Sequence, residues 1–134
     1  MNIEILDRVI ARIEAEPEHF NMNNYAVRTR CGTVCCIAGW AAIEAAGVPA
    51  SRLVRADREI VVPDGSGASF VDWYEAGRAA LEIDPTTATR IFFVNTWPAA
   101  HSDAYLKARS KRERAASTVC MLRELREREL RERG

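Results

Sequence analysis

The stretch that decides the fold is CGTVCCIAGWAAIEAAG, residues 31–47. Its second half is almost entirely small or apolar, which is the composition of a buried helix. Thr33 is a favoured N-cap residue, and Gly47 is the residue type that ends helices in the left-handed conformation. The stretch therefore predicts a central helix over residues 34–46.

Two stripes of residues predict contacts on more than one side of this helix. The small residues Cys35, Gly39 and Ala42 recur at helical spacing, which lets a neighbouring backbone approach closely. The larger residues Trp40 and Ile43 form a second stripe. Both stripes have the character of packing surfaces, so the other helices are expected to surround this one.

The flanking sequence predicts four further helices. Apolar residues at helical spacing, closed by Pro17, predict a first helix over about residues 3–16. The three later helices are predicted from their opening residues, which are Ser69 with Asp72, Asp84 with Pro85, and Ser110 with Glu113. The last of them ends in an Arg/Glu-rich segment, residues 123–133, for which the sequence leaves packing on the body and projection from it both open.

Two short β-branched runs within residues 50–67 flank a polar turn, and they predict a small β-hairpin insertion near 52–62, followed by a loop at 63–67. The predicted fold class is mainly α: a single compact helical domain over residues 1–134, with about five helices around the central helix. No repeat or low-complexity linker divides the chain.

The core segment Cys31-Gly32-Thr33-Val34-Cys35-Cys36-Ile37-Ala38-Gly39 resembles the motif Cys-Gly-Thr-x-x-Cys-x-Ala-Gly. That motif is shared by a group of small uncharacterised proteins from bacteria and their phages, and the resemblance spans most of residues 5–120. It implies an architecture and no catalytic residues. The two cysteines of the motif correspond to Cys31 and Cys36, whereas Cys35 stands where the group usually has a small apolar residue.

Composition limits the function classes. The chain has 134 residues, 48% of them hydrophobic and 28% charged, with a formal net charge of zero. These values indicate a globular protein without a global field that would attract nucleic acid or an anionic membrane. The longest apolar run covers only residues 34–43, about half of the roughly 20 residues that cross a bilayer. The opening residues lack the features of a signal peptide, so a cytoplasmic location is expected.

The cysteines permit a thiol-based site. Cys35 and Cys36 lie in the predicted first turn of the central helix, where backbone N–H groups and the helix dipole favour a thiolate, and Cys31 precedes that turn. A cysteine hydrolase also needs a base, and His19 and His101 are the two histidines of the chain. A reversible disulfide between Cys31 and Cys36 is a further alternative. The candidate catalytic residues are therefore Cys31, Cys36, His19 and His101.

Metal binding and burial are the competing interpretations of the same cysteines. A metal site would use Cys31, Cys35 and Cys36, with Cys120 or a histidine as the fourth ligand. The second short-spaced pair that is typical of structural zinc sites is missing. Cysteine is among the most frequently buried residues even when it forms no bond. Burial in the core is the favoured interpretation, and no cofactor is predicted.

Two surfaces are candidates for partner binding. The basic stretch 107–114, which includes Arg109 and Arg112, can contact phosphate groups or a protein. Leu125 and Leu130 give the last helix apolar points for self-association or for docking on a partner helix. Trp73, Tyr74, Phe92, Phe93 and Trp97 form either a ligand pocket or, as is commoner, part of the core. We expect a non-catalytic protein-interaction module, with a thiol enzyme or redox sensor and a weak nucleic-acid binder as alternatives.

Overall fold

The computed structural model describes residues 1–30, 32–47, 49–50 and 73–133. In these residues the protein is mainly α, as predicted, and it also contains a two-stranded antiparallel sheet. The helices are α1 Ile3–Ala15, α2 Ile37–Ala46, α3 Trp73–Leu81, α4 Pro85–Phe92, α5 Ala99–Lys107 and α6 Lys111–Arg133. The strands are β1 Ala26–Thr29 and β2 Gly32–Cys35, and short 3-10 helices cover Pro17–His19 and Val94–Thr96.

The central helix α2 begins three residues later than the predicted residue 34. Thr33 is not its N-cap, because Thr33 pairs with Arg28 in the antiparallel ladder. Cys36 occupies the N-cap position with an extended backbone, and its side chain makes no capping hydrogen bond. Gly47 ends the helix at φ 69°, in the left-handed conformation that the sequence predicts.

The observed hairpin β1–β2 was not predicted, and the hairpin predicted near 52–62 lies outside the described residues, as does the loop 63–67. Ala26 pairs with Cys35 and Thr29 with Gly32. The segment before β1 also joins this unit, because Phe20 bridges Cys35 and the N–H of Cys36 donates to the Asn24 carbonyl at 2.8 Å. Phe20 is buried as a result.

Helix α2 is central, as predicted, since it packs against α1, α3 and α4 and its residues from 37 to 41 are all buried. Helix α1 is capped by Asn2, whose Oδ1 accepts from the Ile5 N–H at 3.1 Å. Its Arg12 guanidinium lies 4.5 Å from the centroid of the Trp40 ring and donates to Glu44 at 2.7 Å. These contacts link α1 to the buried α2.

The structure contains one helix, α5, that the sequence did not predict. The other late helices begin as expected: the Asp84 carboxylate accepts from the Thr87 N–H at 2.7 Å, and the Ser110 hydroxyl accepts from the Glu113 N–H at 3.1 Å. The pair Ser69 and Asp72, predicted to open α3, lies outside the described residues. Between the two confirmed starts, α5 brings the number of helices in the described residues to six, where about five were predicted.

The C-terminal half of helix α6 packs antiparallel to α1. Arg126 donates to Asp7 at 2.6 Å, Arg123 donates to Glu14 at 2.6 Å, and the N-terminal ammonium donates to Glu129 at 3.2 Å. The Arg/Glu-rich segment 123–133 is therefore held on the body by α1.

None of the helices in the described parts of the chain combines the length and the apolar character that crossing a bilayer requires.

Candidate functional site

The two described cysteines of the central motif lie in the core. Cys35 is 0% exposed and Cys36 is 2% exposed. Burial raises the pKa of the Cys36 thiol to about 11, although the backbone N–H groups of Gly39 and Ala38 act in the opposite direction. Burial also raises the pKa of Cys35 far above its ordinary value. Loss of hydration thus outweighs the helix N-terminus, and both thiols are held protonated at neutral pH.

Each histidine is paired with a glutamate rather than with a described cysteine. His19 Nδ1 lies 2.6 Å from Glu16 Oε2, and His101 Nε2 lies 2.6 Å from Glu124 Oε2. The first pair lies in the turn after α1, and the second joins α5 to α6. Cys31, the remaining residue of the predicted catalytic set, lies outside the described residues.

The predicted metal ligands are also dispersed. Cys120 is exposed on α6, whereas Cys35 and Cys36 are buried where β2 joins α2. In the described part of the chain, no three His, Cys, Asp or Glu side chains are placed so that they could hold one metal ion. Cys31 is not among the described residues.

The aromatic residues considered for a ligand pocket pack on one another. Tyr74 makes an edge contact with Phe92, with ring centroids 5.8 Å apart, and stacks near Phe93 at 6.3 Å. Trp97 makes an edge contact with Tyr105 at 5.5 Å, and its indole N–H donates to the Ile91 carbonyl at 2.8 Å. Phe92 and Trp97 are buried, which favours the core interpretation for these two, whereas Phe93 is 41% exposed.

A solvent-open groove lies between the end of α1 and the first two-thirds of α6. It encloses about 680 Å³, and we call it the α1–α6 groove. Its lining from α1 and the following turn is Ile13, Glu14, Ala15, Pro17 and Glu18. Its lining from α6 is Arg112, Ala115, Ala116, Val119, Cys120, Arg123, Glu124 and Glu127. The floor is thus made of small and apolar side chains, and the rims carry charges of both signs.

A second cleft of about 440 Å³ lies on the other side of α6. Its lining includes Trp97, His101, Leu125 and Arg128. Glu124 lines both cavities, because it stands on the ridge between them and accepts from His101 on the second side. Helix α6 therefore forms a ridge with a concave surface on each side.

The structure separates the four predicted partner-binding residues. Arg112 lines the α1–α6 groove, whereas Leu125 is half-buried in the second cleft. Arg109 is exposed just before α6, and Leu130 is 40% exposed near its end. Sequence analysis did not identify Ala116 among these candidates. Its signal was available, since Ala116 and Cys120 stand four residues apart on the face opposite the buried residues of α6.

Compared with known protein families, with curated proteins and with solved structures, the chain gives no match. The site is therefore interpreted from its own geometry. The α1–α6 groove unites an apolar floor with charged rims, and it contains one of the residues, Arg112, that the sequence indicated for partner binding.

Proposed function

We propose that this chain is a small cytoplasmic protein-interaction module that binds a helical segment of a protein partner in the α1–α6 groove. The observation that carries the proposal is the lining of the groove, where exposed Ala116 and Cys120 lie between charged rims. Small side chains at this spacing let a partner helix approach closely, and charges of both signs can fix its register.

The dimensions of the groove favour a helix over a small metabolite. Its lining on α6 extends from Arg112 to Glu127, which corresponds to about 22 Å of helix axis at 1.5 Å per residue. Small-molecule sites are more enclosed and bury most of the ligand surface. An elongated open groove suits an extended rod with side chains along one face.

The two alternative classes receive less support from the described residues. A thiol enzyme needs an accessible thiolate near a base, but Cys36 is buried with a raised pKa, and each histidine is paired with a glutamate. A nucleic-acid interface needs a surface of mainly positive charge. Glu14, Glu18 and Glu127 put negative charge around the groove into which Arg112 projects.

The proposal is tested with a photo-crosslinking amino acid placed at position 116 of the full chain in the cells that encode it. The matched control carries the same amino acid at position 132, which is exposed on α6 outside the groove. We expect adducts at position 116 that map to one helical segment of one protein, and none at position 132. Equal labelling at both positions, or none at position 116, would contradict the proposal.

A further inference from the structure

We propose that the occupant of the α1–α6 groove is helix α6 of a second copy of this chain, in antiparallel orientation, with Ala116 of each copy opposite Cys120 of the other. This inference rests on the proposed function, because it names the partner of the same groove. It is carried by the charge pattern of the outward face of α6.

The outward face of α6 carries a regular series at alternating spacings of four and three residues. On α6 the series is Glu113, Ala116, Cys120, Arg123 and Glu127, and Arg109 precedes it in the turn before the helix; every member is exposed. This is the average spacing of 3.5 residues that forms a seam between two helices. The buried residues Thr118, Met121 and Leu122 lie on the opposite side of the helix.

In the proposed register, every charged residue of the series meets an opposite charge. When Ala116 lies opposite Cys120 of the second copy, Glu113 lies opposite Arg123 and Arg109 lies opposite Glu127. The two-fold axis repeats each contact, as it must in a symmetric dimer. The result is two central layers of small side chains, across which the helices can approach closely, flanked on both sides by ion pairs.

Other arrangements of the same series lose this match. A parallel, in-register pair sets Glu113 against Glu113 and Arg123 against Arg123 of the second copy, which places like charges together. An antiparallel shift by one heptad sets Ala116 against Glu127 and Cys120 against Arg123, so that the charges have no partner. The pattern thus selects both the orientation and the register.

The charges at the ends of the series are available for this pairing. The side chains of Arg109 and Glu127 make no ion pair with the described residues of their own chain. One carboxylate oxygen of Glu113 accepts from the backbone N–H of Arg109, and one guanidinium nitrogen of Arg123 donates to Glu14. Their remaining oxygen and nitrogen atoms can bind across the dimer.

A cysteine scan tests the register directly. In the proposed dimer, Cys120 and its symmetry mate are four residues apart along the axis, about 6 Å, so with the spacing between helices they lie beyond disulfide reach. Ala116→Cys puts a thiol level with Cys120 of the second copy. We expect mild oxidation to cross-link Ala116→Cys, but not the natural chain and not the double variant Ala116→Cys with Cys120→Ser.

Charge reversal tests the ion pairs through sedimentation equilibrium of the full chain, whose monomer mass is 15.0 kDa. Glu127→Arg should raise the dimer dissociation constant by about tenfold or more, since two pairs become repulsive, and adding Arg109→Glu should restore it. Glu132→Arg, on the same helix but outside the series, should change it less than twofold. Added salt should weaken the natural dimer.

A monomeric mass at every concentration, or cross-linking of Ala116→Cys no greater than in its controls, overturns the self-association. In that event, a photo-adduct at position 116 with a different protein would leave the proposed function standing. If the adduct at position 116 is also absent, both the self-association and the proposed function are contradicted. Cross-linking of the natural chain through Cys120 alone would also overturn the register, because it requires a different alignment of the two helices.

Discussion

Gly77 of α3 lies so close to Ala38 of α2 that a Cβ atom built on Gly77 would stand 2.7 Å from the Ala38 Cα. A side chain at position 77 has no room there, because the nearest atoms belong to backbone rather than to a flexible side chain. Ala38 is itself 0% exposed. The close approach of α2 and α3 at this point therefore depends on glycine at position 77.

Gly77→Ala should lower the free energy of unfolding. Alanine favours a helix interior over glycine by about 1 kcal/mol, but overpacking of a core contact costs about 1–3 kcal/mol. We expect a net loss of up to about 2 kcal/mol in urea unfolding. Ala79→Gly, at an exposed position of the same helix, isolates the propensity term. Stabilisation by Gly77→Ala would show that the two backbones are not in contact.

Gly39→Ala should be more damaging than Gly77→Ala. A Cβ atom at position 39 would stand 1.9 Å from the backbone carbonyl oxygen of Tyr25 and 2.9 Å from the Cβ of Cys35. The segment before β1 would have to move away from α2, at a cost of about 3 kcal/mol or more. Urea unfolding measures the loss, and a smaller effect than that of Gly77→Ala would contradict the geometry.

The cysteine thiols should differ sharply in reactivity, because they differ in solvent exposure. In a Cys31→Ser variant at pH 7, we expect a thiol reagent to label Cys120 rapidly, because it is exposed. Cys35 and Cys36 should react only after unfolding, since burial raises the pKa of both. Adding Cys120→Ser serves as the control and should abolish labelling of the folded protein. Rapid labelling of two thiols in the Cys31→Ser variant would refute the buried placement.

Stability should depend on pH through the cap of α4. The Asp84 carboxylate accepts from the Thr87 N–H, and this hydrogen bond lowers the pKa of Asp84 below its ordinary value. Its contribution is fully present above the unfolded-state pKa, about 3.9, and is lost as the pH falls through the lower folded-state pKa.

Asp84→Asn is the matched variant for this test, because asparagine also caps helices but does not titrate. Unfolding free energies of both proteins, measured from pH 7 to pH 2, should converge as the pH falls. A constant difference across that range would mean that the carboxylate has the same pKa in the folded and unfolded chains.

Local signals in the sequence were sufficient to predict most of the described helices. The starts of α4 and α6 followed from Asp84-Pro85 and from Ser110 with Glu113, since a capping side chain and its N–H partner are neighbours in sequence. Helix α5 was not predicted because its sequence has almost no apolar periodicity. Tyr105 is its only buried residue. Its N-cap position is occupied by Pro98, which makes no side-chain capping hydrogen bond.

The start of α2 and the candidate site depend on contacts between distant residues. Thr33 has the chemistry of an N-cap, but the pairing of β2 with β1 and the bridge from Phe20 draw residues 32–35 into a strand. The α1–α6 groove likewise requires the packing of two helices from opposite ends of the sequence. Arg112 could be proposed from its charge, whereas Ala15 acquires a role only when that packing is known.

The pairing of α1 with α6 also sets the order of events during synthesis. Asp7 is separated from its partner Arg126 by 119 residues. At about 5–20 residues per second, the ribosome needs about 6–24 s to cover that interval. Until then α1 can pack on α2, but its side toward α6 stays in water. The pairing of α1 with α6 can therefore form only after residue 126 has been translated.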